Sequence, residues 1–367
     1  MSRYVTECKI NWDFLEAEFE SQVSQMKACP QDPKFHEEGD VWTHLKMVMA
    51  NLEASSEWAT LNHEDQEILV LSTFLHDVGK PAKTEHLADG SIGSKGHAAK
   101  GEKITRCLLR DKITPIKREH IAKLVRLHGL PSHPTLVDAD RTIIRASFAC
   151  RLDLLCLLSR ADIKGRMTND CKIKSALDNA SFFEELCREL ECINAPRKFL
   201  SPHSRFMYFR KSHLPPTVDL YDDTEFEVIL LSGLPGAGKD FYISNNYPDL
   251  PMVSLDELRE DMDIDAIENQ GKVVQAAYQK AKELLRKKES FVFNATNVTR
   301  FIRYKWINLF YRYHASTKVV YLEPSWNDIV KQNKCRQHPV PEHIICDLFT
   351  KVNLPDLTES HKLEMRI

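Results

Sequence analysis

Residues 73–86 read TFLHDVGKPAKTEH. An apolar helical run, DQEILVLSTFL, ends here on a histidine set directly beside an aspartate, His76-Asp77, with Lys80 three residues on. Burying imidazole and carboxylate without partners costs several kcal/mol each. A bound divalent cation removes that cost, because neutral imidazole and carboxylate are its natural ligands. Other helical stretches carry matching groups on their apolar stripes. His44 lies with Val41 and Val48, and His76-Asp77 follows Leu69 and Thr73. His97 starts a helix aligned with Ile104 and Leu108, His128 follows Leu124 and Val125, and Asp162 continues Leu155 and Leu158. Any one of these histidines alone reads as a hydrogen-bonded core residue. The set, in this order, points to a metal.

The surroundings predict helices. From residue 10 to about 195, apolar residues recur at three- and four-residue spacing, as in DVWTHLKMVMANLEA, HAAKGEKITRCLLR, REHIAKLVRLHG and RLDLLCLLSRADIKGR. The stretch 196–224, PRKFLSPHSRFMYFRKSHLPPTVDLYDD with the following Thr224, bears prolines and no period, and reads as a linker. From Glu225 the texture changes. EFEVILLSG, PMVSLDELRED, SFVFNATN and TKVVYLEPS each read as a buried strand followed by a polar turn and helix. Strands alternating with helices predict a parallel sheet. The expectation is therefore two domains, all-α over 1–195 and α/β over 225–367, joined by 196–224.

A second stretch carries chemistry. GLPGAGKD, Gly233 to Asp240, follows the strand VILLS and matches G-x-x-x-x-G-K. Backbone N–H groups around Gly233, Gly236 and Gly238 would cradle phosphates at a helix N-terminus, with Lys239 on the outer phosphate oxygens. Asp240 departs from the pattern. Ser or Thr normally stands there and ligands Mg²⁺; a carboxylate also holds Mg²⁺, directly or through water, but adds negative charge beside a triphosphate. Asp256 sits just past the next strand, where a phosphoacceptor would meet the donor, and a carboxylate can accept its hydroxyl proton. Asp256 is equally suited to capping a helix, as is Ser254. Arg259 follows on the same face. Lys334 and Arg336 precede VPEHII, the place of an arginine-bearing lid, with Arg300 and Arg303 as weaker candidates for that task.

Composition sets limits. At 367 residues, 43% hydrophobic and 28% charged, the chain has the balance of a soluble two-domain protein. It has no run of about 18 apolar residues, so no membrane span is expected. The start, MSRYVTECKINWDFLEAEFE, does not read as a signal peptide, and the ten cysteines show no framework spacing. Reduced thiols and a cytoplasmic location are the expectation. A net charge of −3 argues against non-specific coating of nucleic acid and leaves room for local basic grooves. Candidates are Arg205, Arg210 and Lys211 with Phe206, Tyr208 and Phe209, and Arg300, Arg303, Lys305 and Arg312 with Tyr304 and Trp306. For the first group packing is the simpler account, since its members cannot all face one strand.

The order His44, His76-Asp77, Asp162 resembles the HD phosphohydrolase superfamily over roughly residues 30–170. That resemblance implies a transition-metal ion held by His44, His76, Asp77 and Asp162. It also implies a second ion, in two-metal members, at His97 and His128, with His120 competing for the last place. Lys80 and Arg166 match positions that face the substrate phosphate, although Lys80 also reads as a solvated surface lysine. The implied reaction is phosphoester hydrolysis by activated water. The glycine loop, SLDELR, NATN and the lid before VPEHII resemble the P-loop kinase domain of polynucleotide 5′-kinases over about 225–350. This implies Asp256 as general base, Arg259 on the acceptor's adjacent phosphate, and ATP or another NTP with Mg²⁺ as donor. Together the halves resemble the bacterial HD-Pnk family of end-healing enzymes. The resemblance implies phosphorylation of 5′-OH ends and removal of 2′,3′-cyclic phosphate, 2′-phosphate or 3′-phosphate from RNA or DNA ends, ahead of a ligase. Two rivals stay open. One is a small-metabolite kinase fused to an HD nucleotide phosphohydrolase. The other is a nucleotide-controlled binding module without catalysis.

Overall fold

The periodicity of the first half becomes helices in a computed structural model that describes residues 3–6, 8–133, 138–264, 270–336 and 338–367. The chain divides into two units, Met1–Lys198 and Phe199–Ile367. The first contains α1 (Trp12–Glu18), α2 (Glu20–Lys27), α3 (Val41–Glu53), α4 (His63–Leu75), α5 (His97–Leu108), α6 (Pro115–Leu127), α7 (Ala139–Ser147), α8 (Leu152–Lys164) and α9 (Asp170–Glu189). Two small antiparallel ribbons accompany them, β1 (Val5–Thr6) with β2 (Lys9–Ile10), and β3 (Glu85–His86) with β4 (Ile92–Gly93). The start of α3 is fixed by the Asp40 carboxylate, which accepts from the Thr43 N–H, and that of α4 by Asn62, which accepts from Asp65 N–H. Every residue from Ile68 to Leu75 of α4 is buried, and α8 is nearly as enclosed. A helix that is apolar all round belongs in the interior. These two central helices are thus the ones that carry Asp77 and Asp162 inward.

The second unit is built on a five-stranded sheet of order β6-β7-β5-β8-β9, all neighbours parallel. The strands are β5 (Phe226–Ser232), β6 (Met252–Ser254), β7 (Phe291–Asn294), β8 (Ala315–Leu322) and β9 (Lys362–Arg366). Alternate residues of β5 enter different clusters: Val228 and Leu230 pack with Phe291, Phe293, Trp306 and Phe310, whereas Ile229 and Leu231 pack with Val292, Val320, Tyr242 and Ile243. The sheet is therefore covered on both faces, which is why its strands read as unbroken apolar runs. The helices are α10 (Pro202–Tyr208), α11 (Lys239–Asn246), α12 (Leu255–Asp261), α13 (Gln270–Lys287), α14 (Arg300–Tyr311), α15 (Trp326–Lys334) and α16 (Glu342–Lys351). Of the 196–224 stretch expected to link the domains, residues from Phe199 on lie within this unit, and α10 places Phe206 and Met207 in its core. No helix among the described residues is long and apolar enough to cross a membrane.

Candidate metal centre and phosphate-binding loop

Four histidines of the first unit share one arrangement. Their Nδ1–H groups donate to carbonyl oxygens: His44 to Gly165 at 3.2 Å, shared with the nearer Glu38 Oε1 at 2.9 Å, His76 to Thr73 at 2.6 Å, His97 to Ser94 at 2.9 Å and His128 to Val125 at 2.8 Å. A carbonyl can only accept, so each bond fixes the ring's tautomer and turns Nε2 toward the interior. His44 Nε2 lies 3.0 Å from Asp162 Oδ1 and 4.0 Å from Asp77 Oδ2. His76 Nε2 lies 3.3 Å from that Asp77 oxygen and 3.9 Å from Asp162 Oδ1. The other Asp77 oxygen, Oδ1, faces His97 Nε2 at 3.4 Å and His128 Nε2 at 4.0 Å. Asp77 thus stands between two pairs of imidazoles, with one oxygen for each.

Close backbone packing sets this geometry. A Cβ on Gly79 would stand 2.1 Å from the His97 carbonyl oxygen and 2.6 Å from Gly101 N, so only glycine lets the chain after Asp77 press against the start of α5. A Cβ on Gly165 would meet Val48 Cγ2 at 2.5 Å and the Val48 backbone N at 2.8 Å, so glycine also lets α8 meet α3, bringing Asp162 to His44.

The donor set fits a divalent cation. His44, His76, Asp77 and Asp162 are at most 2% exposed, and His76 Nε2 and Asp77 Oδ1 have no hydrogen-bond partner. Bare buried lone pairs are costly unless a cation takes them. Burial opposes the charge of Asp77, but Lys80 at 2.7 Å and its imidazole neighbours hold its carboxyl well below the usual range. Burial opposes that of Asp162 likewise, and Arg166, 2.5 Å away, brings it well below the usual range. Burial drives His128 down to about 4, so it is neutral as a ligand must be. Burial would also lower His44, yet the carboxylates of Asp162 and Glu38 raise it to about 9. Without a cation, a proton on His44 supplies the positive charge. The carboxylates, His97 and His128 line a cavity of about 410 Å³ shared with Lys80, Arg166, Lys95 and Phe35.

In the second unit the loop after β5 has Gly236 and Gly238 at φ of 80° and 78°. Lys239 is 8% exposed, and its Nζ donates to the carbonyls of Gly233 at 3.1 Å and Leu234 at 3.0 Å. Burial lowers it to about 8, against the pull of Asp256 and Asp240. Asp240 Oδ1 accepts from Asn294 Nδ2 at 2.6 Å. Ser254 is the cap of α12, accepting from Glu257 N–H, which leaves the Asp256 carboxylate available. That carboxylate accepts from Arg259 at 2.7 Å and Arg336 at 2.9 Å. Burial opposes its charge, and the two guanidinium groups bring its pKa below the usual value.

Comparison with known proteins agrees with both halves. Residues 41–163 match the family model of the HD domain, and residues 228–352 that of the AAA domain. The two matches lie side by side along the chain. They support an HD domain over 41–163 followed by a P-loop kinase-like AAA domain over 228–352. Among solved structures, a candidate kinase from Chloroflexus aurantiacus j-10-fl matches 39% of this chain and 85% of its own, at 17% identity and a TM-score of 0.32. No curated protein matches the chain.

In the HD domain all six residues expected at the metal come together, and Lys80 and Arg166 lie on the two carboxylates. His120 stands apart; its Nε2 accepts from Arg151 N–H at 3.1 Å. Two further residues join the site without a signal in the sequence pattern. Glu38 accepts from the Nδ1 of both His36 and His44 and from Met167 N–H, and His36 lines the cavity. Both precede α3 in a loop, where no helical spacing points inward.

In the kinase-like domain Lys239, Asp240, Asp256, Arg259 and Arg336 cluster at the loop, whereas several of the basic and aromatic candidates are taken up by packing. Arg303 is fully buried in a two-pronged bond to Glu359, and Arg300 is tied to Asp356 and Thr358. Arg303 is thus not free to serve as a lid or to meet an acceptor, whereas Arg300 keeps part of its side chain exposed. Arg205 donates to the carbonyls of Leu357 and His361, Arg210 lies against the rings of Phe206, Tyr304 and Tyr311, and Phe206 and Tyr208 are buried. Packing takes up Arg205, Arg210, Phe206 and Tyr208, in line with the simpler account of the first group, while Lys211, Tyr304, Lys305 and Arg312 stay exposed.

Proposed function

We propose that this protein prepares broken nucleic-acid strands for joining, phosphorylating a 5′-hydroxyl end and clearing 2′,3′-cyclic phosphate, 2′-phosphate or 3′-phosphate from the opposite end. The feature that carries the proposal is a carboxylate–arginine pair, Asp256 and Arg259, within electrostatic reach of the loop lysine, in the same chain as a buried imidazole–carboxylate cage.

In the HD domain, His44, His76, Asp77 and Asp162 would hold one divalent transition-metal ion, and Asp77, His97 and His128 a second. Such ions, when bound, acidify water and draw charge from a phosphoryl group. The remaining work falls to the chain. Lys80 and Arg166, now paired with carboxylates, turn to the phosphate oxygens as the substrate enters the cavity, and Arg166 Nε is still without a hydrogen-bond partner. Glu38 keeps His44 oriented through Nδ1. Two imidazole pairs sharing one aspartate suit a phosphoester with oxygens on both sides of phosphorus.

In the kinase-like domain, Lys239 leaves two neutral carbonyls for phosphate oxygens of ATP or another NTP, an exchange that breaks no ion pair. Asp256 accepts the proton of the acceptor hydroxyl. Arg259 takes the neighbouring phosphate of the strand, for which a planar guanidinium is suited, and Arg336 faces the transferred charge.

The test is to incubate an RNA oligonucleotide bearing a 5′-hydroxyl and a 2′,3′-cyclic phosphate with the protein, ATP and a divalent transition metal, and to map both ends. A new 5′-phosphate and a dephosphorylated far end are expected. Phosphate transfer to nucleosides or sugars but not to the oligonucleotide would favour the small-metabolite kinase. No chemistry at either end by folded, metal-loaded protein would favour a binding module.

A further inference from the structure

In P-loop proteins the residue after the loop lysine is a hydroxyl donor, and it holds Mg²⁺ together with a carboxylate at the end of a neighbouring strand. Here the loop position is Asp240, and the strand end is Asn294, the last residue of β7. β7 pairs directly with β5, the strand that feeds the loop, so Asn294 sits at the sheet edge from which the loop springs. Asn294 Nδ2 donates to Asp240 Oδ1 at 2.6 Å. A carboxylate only accepts, so this bond fixes which way the amide faces and leaves its oxygen for another partner. Asn294 is 5% exposed, and that oxygen has no hydrogen-bond partner. Donor and carboxylate have therefore exchanged places between loop and strand, while the pair keeps one negative charge.

We propose that Asp240 and Asn294 are the Mg²⁺-holding pair of the kinase-like domain, the carboxylate supplied by the loop and the neutral oxygen by the strand. This rests on the kinase reading above. It removes the difficulty of an extra charge beside the triphosphate, since the usual strand aspartate is the one that is missing. Both groups are oxygen donors, as Mg²⁺ requires, and waters and substrate phosphates would complete its shell.

The experiment is Mg²⁺-dependent binding of a fluorescent ATP analogue to the full-length chain, compared with binding in EDTA. Variants are D240N, N294A and the exchange D240N/N294D, with thermal unfolding of each as a check on folding. Asp240→Asn is isosteric, so it separates charge from shape. The unaltered chain should bind more tightly with Mg²⁺. D240N should lose most of that enhancement, bind no worse in EDTA, and regain most of the enhancement when Asn294→Asp is added. N294A should lose part of it. Full Mg²⁺ enhancement in D240N, or a double variant no better than D240N, would overturn the pairing and leave the kinase reading standing. An unaltered chain that binds the analogue without Mg²⁺ enhancement would also overturn it. One that does not bind the analogue at all would overturn both.

Discussion

The two candidate sites are assembled in opposite ways. The metal cage gathers side chains from α3, α5 and α8 and from the ends of α4 and α6. The phosphate loop is one unbroken stretch, Gly233–Asp240. In the cage the cationic groups are already spent on carboxylates, Lys80 on Asp77 and Arg166 on Asp162. In the loop the lysine rests on uncharged carbonyls. A non-local site must balance its own buried charge to exist at all, because helix packing has to succeed before any ligand arrives. A local loop needs only its backbone conformation, and can wait with its charge unspent.

The largest effect should come from the residue on which the cage converges. Asp77→Ala removes an oxygen from each imidazole pair, so end-dephosphorylation should fall to background and metal content measured by elemental analysis should drop. Kinase activity should persist. Loss of both activities in a folded variant would break the comparison, because it would make the two sites one system. The counterpart is Asp256→Ala. If Asp256 is the general base proposed above, its loss should cost kinase activity about 10²- to 10⁴-fold in kcat, and metal content and phosphatase rate should be unchanged. Kinetics at saturating ATP would check this; a variant that loses ATP affinity but not kcat would mean that Asp256 organises the loop instead.

The same contrast governs what could be read from the sequence. Gly233 to Lys239 was legible because spacing along the chain is the geometry. His76-Asp77 was legible because polar groups interrupted an apolar helix, and His44, His97, His128 and Asp162 because helical periodicity placed them on buried faces. Glu38 and His36 were not legible, since a loop has no period and their direction is set by the contact between α3 and the chain after α8, where Met167 N–H and His44 Nδ1 meet the Glu38 carboxylate. Nor was the fate of Arg303: an arginine bound for Glu359 looks, in sequence, the same as one bound for phosphate. The pairing of Asp240 with Asn294 was hidden for a related reason, because strand order in a parallel sheet is not written locally.

Glu38→Gln sharpens the comparison on the side of the cage. The carboxylate does not face the cavity's centre; it takes the Nδ1–H of His44 and leaves Nε2 its lone pair. An amide oxygen can still accept but carries no charge, so His44 becomes a weaker ligand. Metal affinity should fall roughly 10- to 100-fold, measured by competition with a chelating dye, and excess metal should restore phosphatase activity. The loop has no equivalent, so ATP binding should not change. A variant that excess metal cannot rescue would mean that Glu38 acts on the substrate itself.

The smallest effect separates two histidines that look alike. His120 lies on α6 and His128 at its end, and burial lowers both to about 4, so both are neutral above about pH 5. Charge therefore cannot distinguish them; only the partner of Nε2 can. In His120 that nitrogen accepts the Arg151 N–H, whereas in His128 it faces Asp77. Glutamine offers an acceptor in either place but is a poor transition-metal ligand. His120→Gln should cost no more than about 1 kcal/mol of stability and leave metal stoichiometry unchanged. His128→Gln should lower the stoichiometry while leaving the first imidazole pair, His44 and His76, able to hold its ion. Elemental analysis of the two variants side by side decides it, and metal loss in the His120 variant would place that ring at the cage through a movement of α6.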